Sequence, residues 1–239
     1  MTQLTICRRL FLTGAAGALA AVGGRPALAL REEVMVQTYE SQAEMTPDAA
    51  IALLKEGNAR FVASRAADRD LSEQMRVTSG GQFPFAAVVA CIDSRTPPEI
   101  IFDQGIGDIF SARIAGNFVD DDILGSLEFA CALSGARAIV VVGHTNCGAI
   151  RGAVDDVIYG NLTETLANIK PAVAAVEGFD GERNAANPAF VQAVADKNVE
   201  LTLARIMDRS PILAAMVESG ELGLNGAMYD IHTGEVTFG

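Results

Sequence analysis

The sequence predicts an α/β protein: a sheet of four parallel strands with an antiparallel C-terminal edge strand, and helices on both faces. Two short, continuously apolar, β-branched runs carry the parallel core, Phe85-Ala86-Ala87-Val88-Val89-Ala90 and Ala138-Ile139-Val140-Val141-Val142-Gly143. Such runs read as strands buried on both faces, the situation of strands in a parallel sheet. The third observation is the chain's end. Residues 224–232 and 235–238 read as strands joined at Thr233-Gly234, a hairpin signal that places an antiparallel strand at the edge.

From the N-terminus, an Arg8-Arg9 pair precedes a mildly apolar stretch, Phe11 to Val22, and Ala27-Leu28-Ala29 supplies a small-residue cleavage pattern. Residues 1–29 therefore read as a bacterial export signal, too short in its apolar part to span a membrane. Arg8-Arg9-Leu10-Phe11-Leu12 resembles the twin-arginine motif, which routes folded proteins, so the expected location is periplasmic. Residues 30–45 are polar and mixed, a linker or N-terminal arm, and residues 46–239 form one domain. Thr46-Pro47-Asp48 starts a helix, with Thr46 as cap and Pro47 in the first turn, continuing through Ile51, Leu54 and Phe61. Residues 66–81 read as a polar loop. Thr96-Pro97-Pro98-Glu99 opens a short helix, and residues 108–114 form the second strand. Asp120-Asp121-Asp122 begins a helix to Leu133, with Cys131 on its buried face. Gly148 opens another helix, residues 162–177 and 188–209 read as amphipathic helices, and Ser210-Pro211 starts a last short one.

The formal net charge is −12, and residues 1–29 hold three Arg and no acid, so their removal takes it to −15. A chain this acidic repels nucleic acid and anionic membranes, so neither is expected as a partner after export. Four cysteines occur, of which Cys7 leaves with the signal. The odd remainder, Cys91, Cys131 and Cys147, argues against a disulfide framework.

Chemistry concentrates between the two apolar strands' ends. Cys91-Ile92-Asp93-Ser94-Arg95 follows the first, and His144-Thr145-Asn146-Cys147-Gly148 closes the second. If the strands are parallel neighbours, both motifs leave the sheet at its carboxyl edge, where α/β proteins place their sites. Two thiolates (Cys91, Cys147) and one imidazole (His144) suit Zn²⁺ and leave a fourth tetrahedral position free. A Cys91–Cys147 disulfide and inert core cysteines are the competing readings. Asp93 stands where it could accept a hydrogen bond from a metal-bound water, with Arg95 holding its carboxylate ionised and oriented; a plain structural ion pair is the alternative. The first N–H groups after Cys147, beginning at Gly148, favour an anion such as a thiolate or bicarbonate.

Cys-x-Asp-x-Arg followed by His-x-x-Cys-Gly resembles the β-class carbonic anhydrases. The likeness extends to Gln82, to residues 107–117, to Ser126-Leu127-Glu128-Phe129-Ala130 and to Tyr229-Asp230-Ile231-x-Thr233-Gly234. The resemblance implies one zinc per chain and reversible hydration of CO₂ to bicarbonate and a proton. It implies that Gln82 binds substrate, often from a neighbouring subunit, and hence a homodimer or higher even oligomer. It places Phe110 and Phe129 in an apolar substrate pocket, Phe129 standing where the family usually has Tyr. In the family this Asp, here Asp93, can also swing onto zinc as a fourth ligand. Val88 occupies a position where one subtype carries Trp beside an inhibitory bicarbonate site; Arg113, which that site also uses, occurs in both subtypes, so it is the missing Trp that favours the plant-like, open subtype. Two other readings remain open at this stage: a carbonyl sulfide or carbon disulfide hydrolase on the same zinc site, and a non-catalytic zinc- or bicarbonate-binding protein. A complete Asp93–Arg95 pair and Gln82 count against the second.

Overall fold

A computed structural model describes residues 35–239, so the export signal expected at residues 1–29 lies outside the described residues. The sheet has five strands in the order β2-β1-β3-β4-β5. They are β1 (Ala86–Ala90), β2 (Ile109–Arg113), β3 (Ala138–His144), β4 (Gly223–Tyr229) and β5 (Val236–Phe238). The first four are mutually parallel and β5 is antiparallel to β4, as the sequence predicts. The long apolar runs occupy the centre because only there are both faces of a strand covered.

Alternate residues of β1 and β3 feed two cores. Ala86, Val88, Ala90, Val140 and Val142 meet Ala50, Ile51 and Leu54 of α2 (Pro47–Val62), with Ile101 of α4 (Pro98–Ile101). On the other face Ala87, Val89, Ile139 and Val141 meet Leu124 and Leu127 of α5 (Asp121–Glu128), Val199 and Ile206 of α9 (Pro188–Arg209), and Leu213 of α10 (Pro211–Glu218). Several helix starts are capped as their sequences announce. Thr46 accepts from Ala49 N, Asn187 from Ala189 N and Ser210 from Leu213 N, which satisfies N–H groups the helix leaves unpaired.

One buried polar side chain ties distant parts together. Asn58 of α2 donates to the carbonyls of Ile101 (2.9 Å) and Gly234 (2.8 Å) and accepts from Val236 N (2.8 Å). Asp103 is another such anchor. Its carboxylate takes Arg60 Nε (2.5 Å), Arg69 Nη1 (2.5 Å) and Ala67 N (3.2 Å).

Three expectations need correction, and one pair of alternatives narrows. Residues 66–81 are not a continuous loop: α3 (Leu71–Thr78) forms there, capped by Asp70, which accepts from Glu73 N. The helix expected to run regularly to Leu133 changes to a π-helical turn at Phe129–Leu133, which keeps Ala130 and Cys131 buried. Residues 162–177 split into α7 (Leu162–Ala167) and α8 (Lys170–Ala175), because Pro171 cannot continue a helix interior. Within 30–45, α1 (Tyr39–Ala43) is helical, so an arm rather than a plain linker describes the segment from residue 35. Its buried Gln42 donates to Pro84 O (2.7 Å) and Ser134 O (2.8 Å).

Candidate metal centre

Parallel pairing of β1 and β3 in register, Ala90 opposite Val142, brings both motifs out of the same edge of the sheet. Cys91 follows β1, His144 ends β3, and Cys147 caps α6 (Gly148–Val154). Their potential ligand atoms lie within 4.8 Å of one another, and all three residues are buried. The two sulfurs are 4.0 Å apart, and both cysteines are free thiols, which removes the disulfide reading. Two thiolates on one tetrahedral zinc, each about 2.3 Å from it, stand about 3.8 Å apart, so the separation fits.

The imidazole is set for the same role. His144 Nδ1 is 2.9 Å from Thr145 O, so Nδ1–H donates there and Nε2 carries the lone pair. Nε2 is buried without a hydrogen-bond partner among the described residues. A buried acceptor left unpaired is costly, and a bound cation removes that cost. The donor set of two sulfurs and one imidazole is one that zinc favours.

Around the sulfurs the backbone supplies positive charge. Gly116 N lies 3.4 Å from Cys91 Sγ. Gly116 has φ +86°, and a Cβ there would stand 2.4 Å from Ile169 Cδ1, so a side chain would push the loop off the sulfur. The bond from Cys147, with the Gly116 N–H, draws the Cys91 thiol well below its ordinary value against the effect of burial. Donating to Cys91 and burial push Cys147 up, although the N–H groups of Ala149 and Ile150 at the start of α6 face it.

Asp93 and Arg95 form the two-pronged pair the sequence suggests. Arg95 Nε is 2.9 Å from Oδ1 and Nη2 is 2.7 Å from Oδ2, and Arg95 N adds a third bond of 3.0 Å to Oδ1. The Arg95 guanidinium holds the Asp93 carboxyl well below the usual carboxylate range. Asp93 is not part of the cluster of potential ligands. Gly148 is exposed at the head of α6, with open space where a side chain would be.

Other expected site residues are not brought here within one chain. Gln82 is exposed at the opposite edge of the sheet, in a shallow cavity with Tyr39, Phe83 and Arg137. Phe110 pairs in register with Ala87, four residues or about 13 Å before Cys91. It meets Phe129 edge-on at 6.1 Å, and Phe129 is half exposed. None of these three residues belongs to the Cys91, His144 and Cys147 cluster.

One contributor carries no local signal. Arg113, at the end of β2, donates through Nε to Cys91 O (2.9 Å) and through Nη2 to Asp93 O (2.6 Å). It thus clamps the backbone on either side of Ile92. Thr96 Oγ1 supports the same turn by donating to Asp93 O at 3.0 Å.

A buried cluster of two thiols and an imidazole at the carboxyl edge of a parallel sheet, with a carboxylate and guanidinium beside it, marks an α/β protein whose site fits a metal ion. The carbonic anhydrase family model matches residues 86–236. Carbonic anhydrase 2 of Mycobacterium tuberculosis is 36% identical over 194 residues, covering 79% of this chain and 90% of that protein. Among solved structures, a β-carbonic anhydrase of Aspergillus fumigatus is 27% identical with a TM-score of 0.61, covering 80% of this chain and 89% of that one. A Coccomyxa β-carbonic anhydrase, solved with acetazolamide, is 26% identical with a TM-score of 0.62, covering 77% and 83%. This chain belongs to the β-class carbonic anhydrases and is an enzyme of that family.

Proposed function

We propose that this enzyme hydrates CO₂ reversibly to bicarbonate and a proton at one zinc ion per chain, held by Cys91, His144 and Cys147. The observation that carries the assignment is a buried His144 whose Nε2 is unpaired among the described residues, with one ring nitrogen within 4.8 Å of two buried sulfurs. Zinc, when bound, supplies a Lewis acid that lowers the pKa of a water in its open position. The chain's own groups do the rest. Asp93 accepts a hydrogen bond from the attacking oxygen and so orients its lone pair towards carbon. Arg95 keeps that carboxylate ionised and turned away from the metal, which favours the open arrangement; a state with Asp93 as fourth ligand requires the pair to break. The exposed N–H at Gly148 donates to a bicarbonate oxygen.

Completion of the pocket falls to a second copy in a homodimer or higher even oligomer. Its Gln82 donates an amide N–H to substrate, and its Phe110 and Phe129 form a dry wall for apolar CO₂. The remoteness of these three residues from their own chain's cluster supports this. The plant-like subtype rests on Val88 standing where the other subtype carries Trp. Export to the periplasm by the twin-arginine route rests on Arg8 and Arg9 and on the benefit of loading metal before translocation.

The test is Cys147→Ala, read by metal analysis of purified protein and by assay with CO₂ and with carbonyl sulfide. Loss of most zinc and most CO₂ hydration is expected. Retention of one zinc per chain would overturn the ligand set, and activity on carbonyl sulfide alone would overturn the substrate.

A further inference from the structure

We propose that a second pocket, beside the metal loop, binds a small oxyanion. A cavity of about 360 Å³ opens against the Thr145–Asn146 turn, between α6, the start of α9 and the loop after β4. Two basic side chains line it, Arg151 from α6 and His232 from the loop, and no acidic residue does. That is unusual in a chain of net charge −12. Neither the Arg151 guanidinium nor the His232 imidazole has a hydrogen-bond or ion-pair partner among the described residues.

The acids in the neighbourhood accept from backbone or amide N–H groups rather than from the Arg151 guanidinium or the His232 ring. Asp155 accepts from Ala185 N at 2.9 Å, Asp230 from His232 N at 2.7 Å, and Asp196 from Gln192 Nε2 at 2.8 Å. Neutral donors complete the lining. The Asn146 amide is exposed and has no partner among the described residues, and Thr145 Oγ1 accepts from Ile231 N at 3.1 Å while keeping its own O–H to donate. A guanidinium fork offers two parallel bonds to an oxyanion, and an imidazole and an amide add directed donors. The ligand class is therefore a small, oxygen-bearing anion, bicarbonate or inorganic phosphate, rather than an apolar molecule.

Position gives the pocket its interest. Thr145 and Asn146 are the only residues between His144 and Cys147, and Asn146 is held at φ +59°. An anion bound to this turn touches the segment that spaces two of the three proposed ligands.

The chain's two histidines make the test local. In the zinc-loaded protein, the His232 ring resonances are identified in proton NMR by their loss in His232→Gln. Sodium phosphate, bicarbonate and chloride are then titrated at constant pH and ionic strength. The expected result is a saturable shift with the oxyanions and none with chloride, and weakening by about tenfold or more in Arg151→Gln. Arg76→Gln, on the surface of α3, should leave the affinity unchanged. Tighter binding of bicarbonate than phosphate would identify the reaction's own product as the occupant, and the reverse order would identify free phosphate. The proposal fails if neither oxyanion gives a saturable shift, or if Arg151→Gln binds as tightly as the unsubstituted protein.

Discussion

Replacing Arg113 by Met should loosen the metal loop without touching a ligand. The guanidinium makes two bonds to backbone carbonyls, 2.9 Å to Cys91 and 2.6 Å to Asp93. A hydrogen bond from a charged donor contributes about 1.5–3 kcal/mol when buried, but Arg113 is exposed, so about 0.5–1 kcal/mol each is a better scale. Together the two bonds hold the loop by about 1–2 kcal/mol, which corresponds to about a 5- to 30-fold change in an opening equilibrium. If zinc leaves through that opening, its release to a chromogenic chelator should accelerate by the same factor. Met preserves most of the aliphatic stem, so β2 should still pack. Arg113→Lys should recover less than half of the effect, because an ammonium does not span two carbonyls in a fixed fork. A release rate in Arg113→Met equal to that of the unsubstituted protein would show that the Cys91–Asp93 turn is held by the strand ends alone.

Arg95→Ala should keep its zinc and lose activity, since a carboxylate freed beside Zn²⁺ is drawn to it; X-ray absorption still showing two sulfurs, one imidazole and a solvent oxygen would sink that gating role. Acid stability should depend on Asp103. Burial alone raises its carboxyl, but the bonds from Arg60, Arg69 and Ala67 N outweigh that and leave it below the usual range. Its stabilisation is therefore complete at neutral pH, above the unfolded value near about 3.9, and is lost as pH falls through the lower folded value. Asp103→Asn should cost about 2–4 kcal/mol in urea unfolding at pH 7, a gap that must narrow towards pH 2; a constant gap would refute the linkage. Sedimentation at micromolar concentration should show dimers or larger, and Gln82→Ala should lower activity without shifting that equilibrium; a fully active monomer would contradict the shared pocket. Changing Arg8 and Arg9 to Lys should leave folded precursor in the cytoplasm, and an unchanged periplasmic yield would point to the general secretion route.

The sheet was legible because β1 and β3 are unbroken apolar runs, and the three clustered residues because each sits directly after or at the end of one. α9 was legible at both ends, since Asn187-Pro188 and Ser210-Pro211 mark its limits. By contrast, α3 presents the polar Gln74 to the interior, where it donates to Met35 O at 2.6 Å, so its buried face carries no apolar stripe. Asp70 followed by Glu73 was the available signal. The clamp by Arg113 depends on register, Ala90 opposite Arg113, which no local pattern encodes. Gly116 N–H on Cys91 likewise depends on how tightly a loop passes Ile169, a fact of packing rather than of spacing.

The Asn58 junction has a bearing on the order in which the molecule is made. Its partners Gly234 and Val236 are 176 and 178 residues away along the chain. The clustered Cys91, His144 and Cys147 all leave the ribosome well before those partners do. At about 5–20 residues per second, the interval between Cys147 and Val236 is on the order of 5 to 20 s. During it the nascent chain carries its thiols and imidazole while α2 lacks the hairpin that locks it against the sheet. Metal capture on the ribosome would then draw on a half-closed pocket, and oxidation of the sulfurs would compete with it most strongly in that window. Synthesis rate and zinc supply would then both bear on the fraction of chains that emerge loaded.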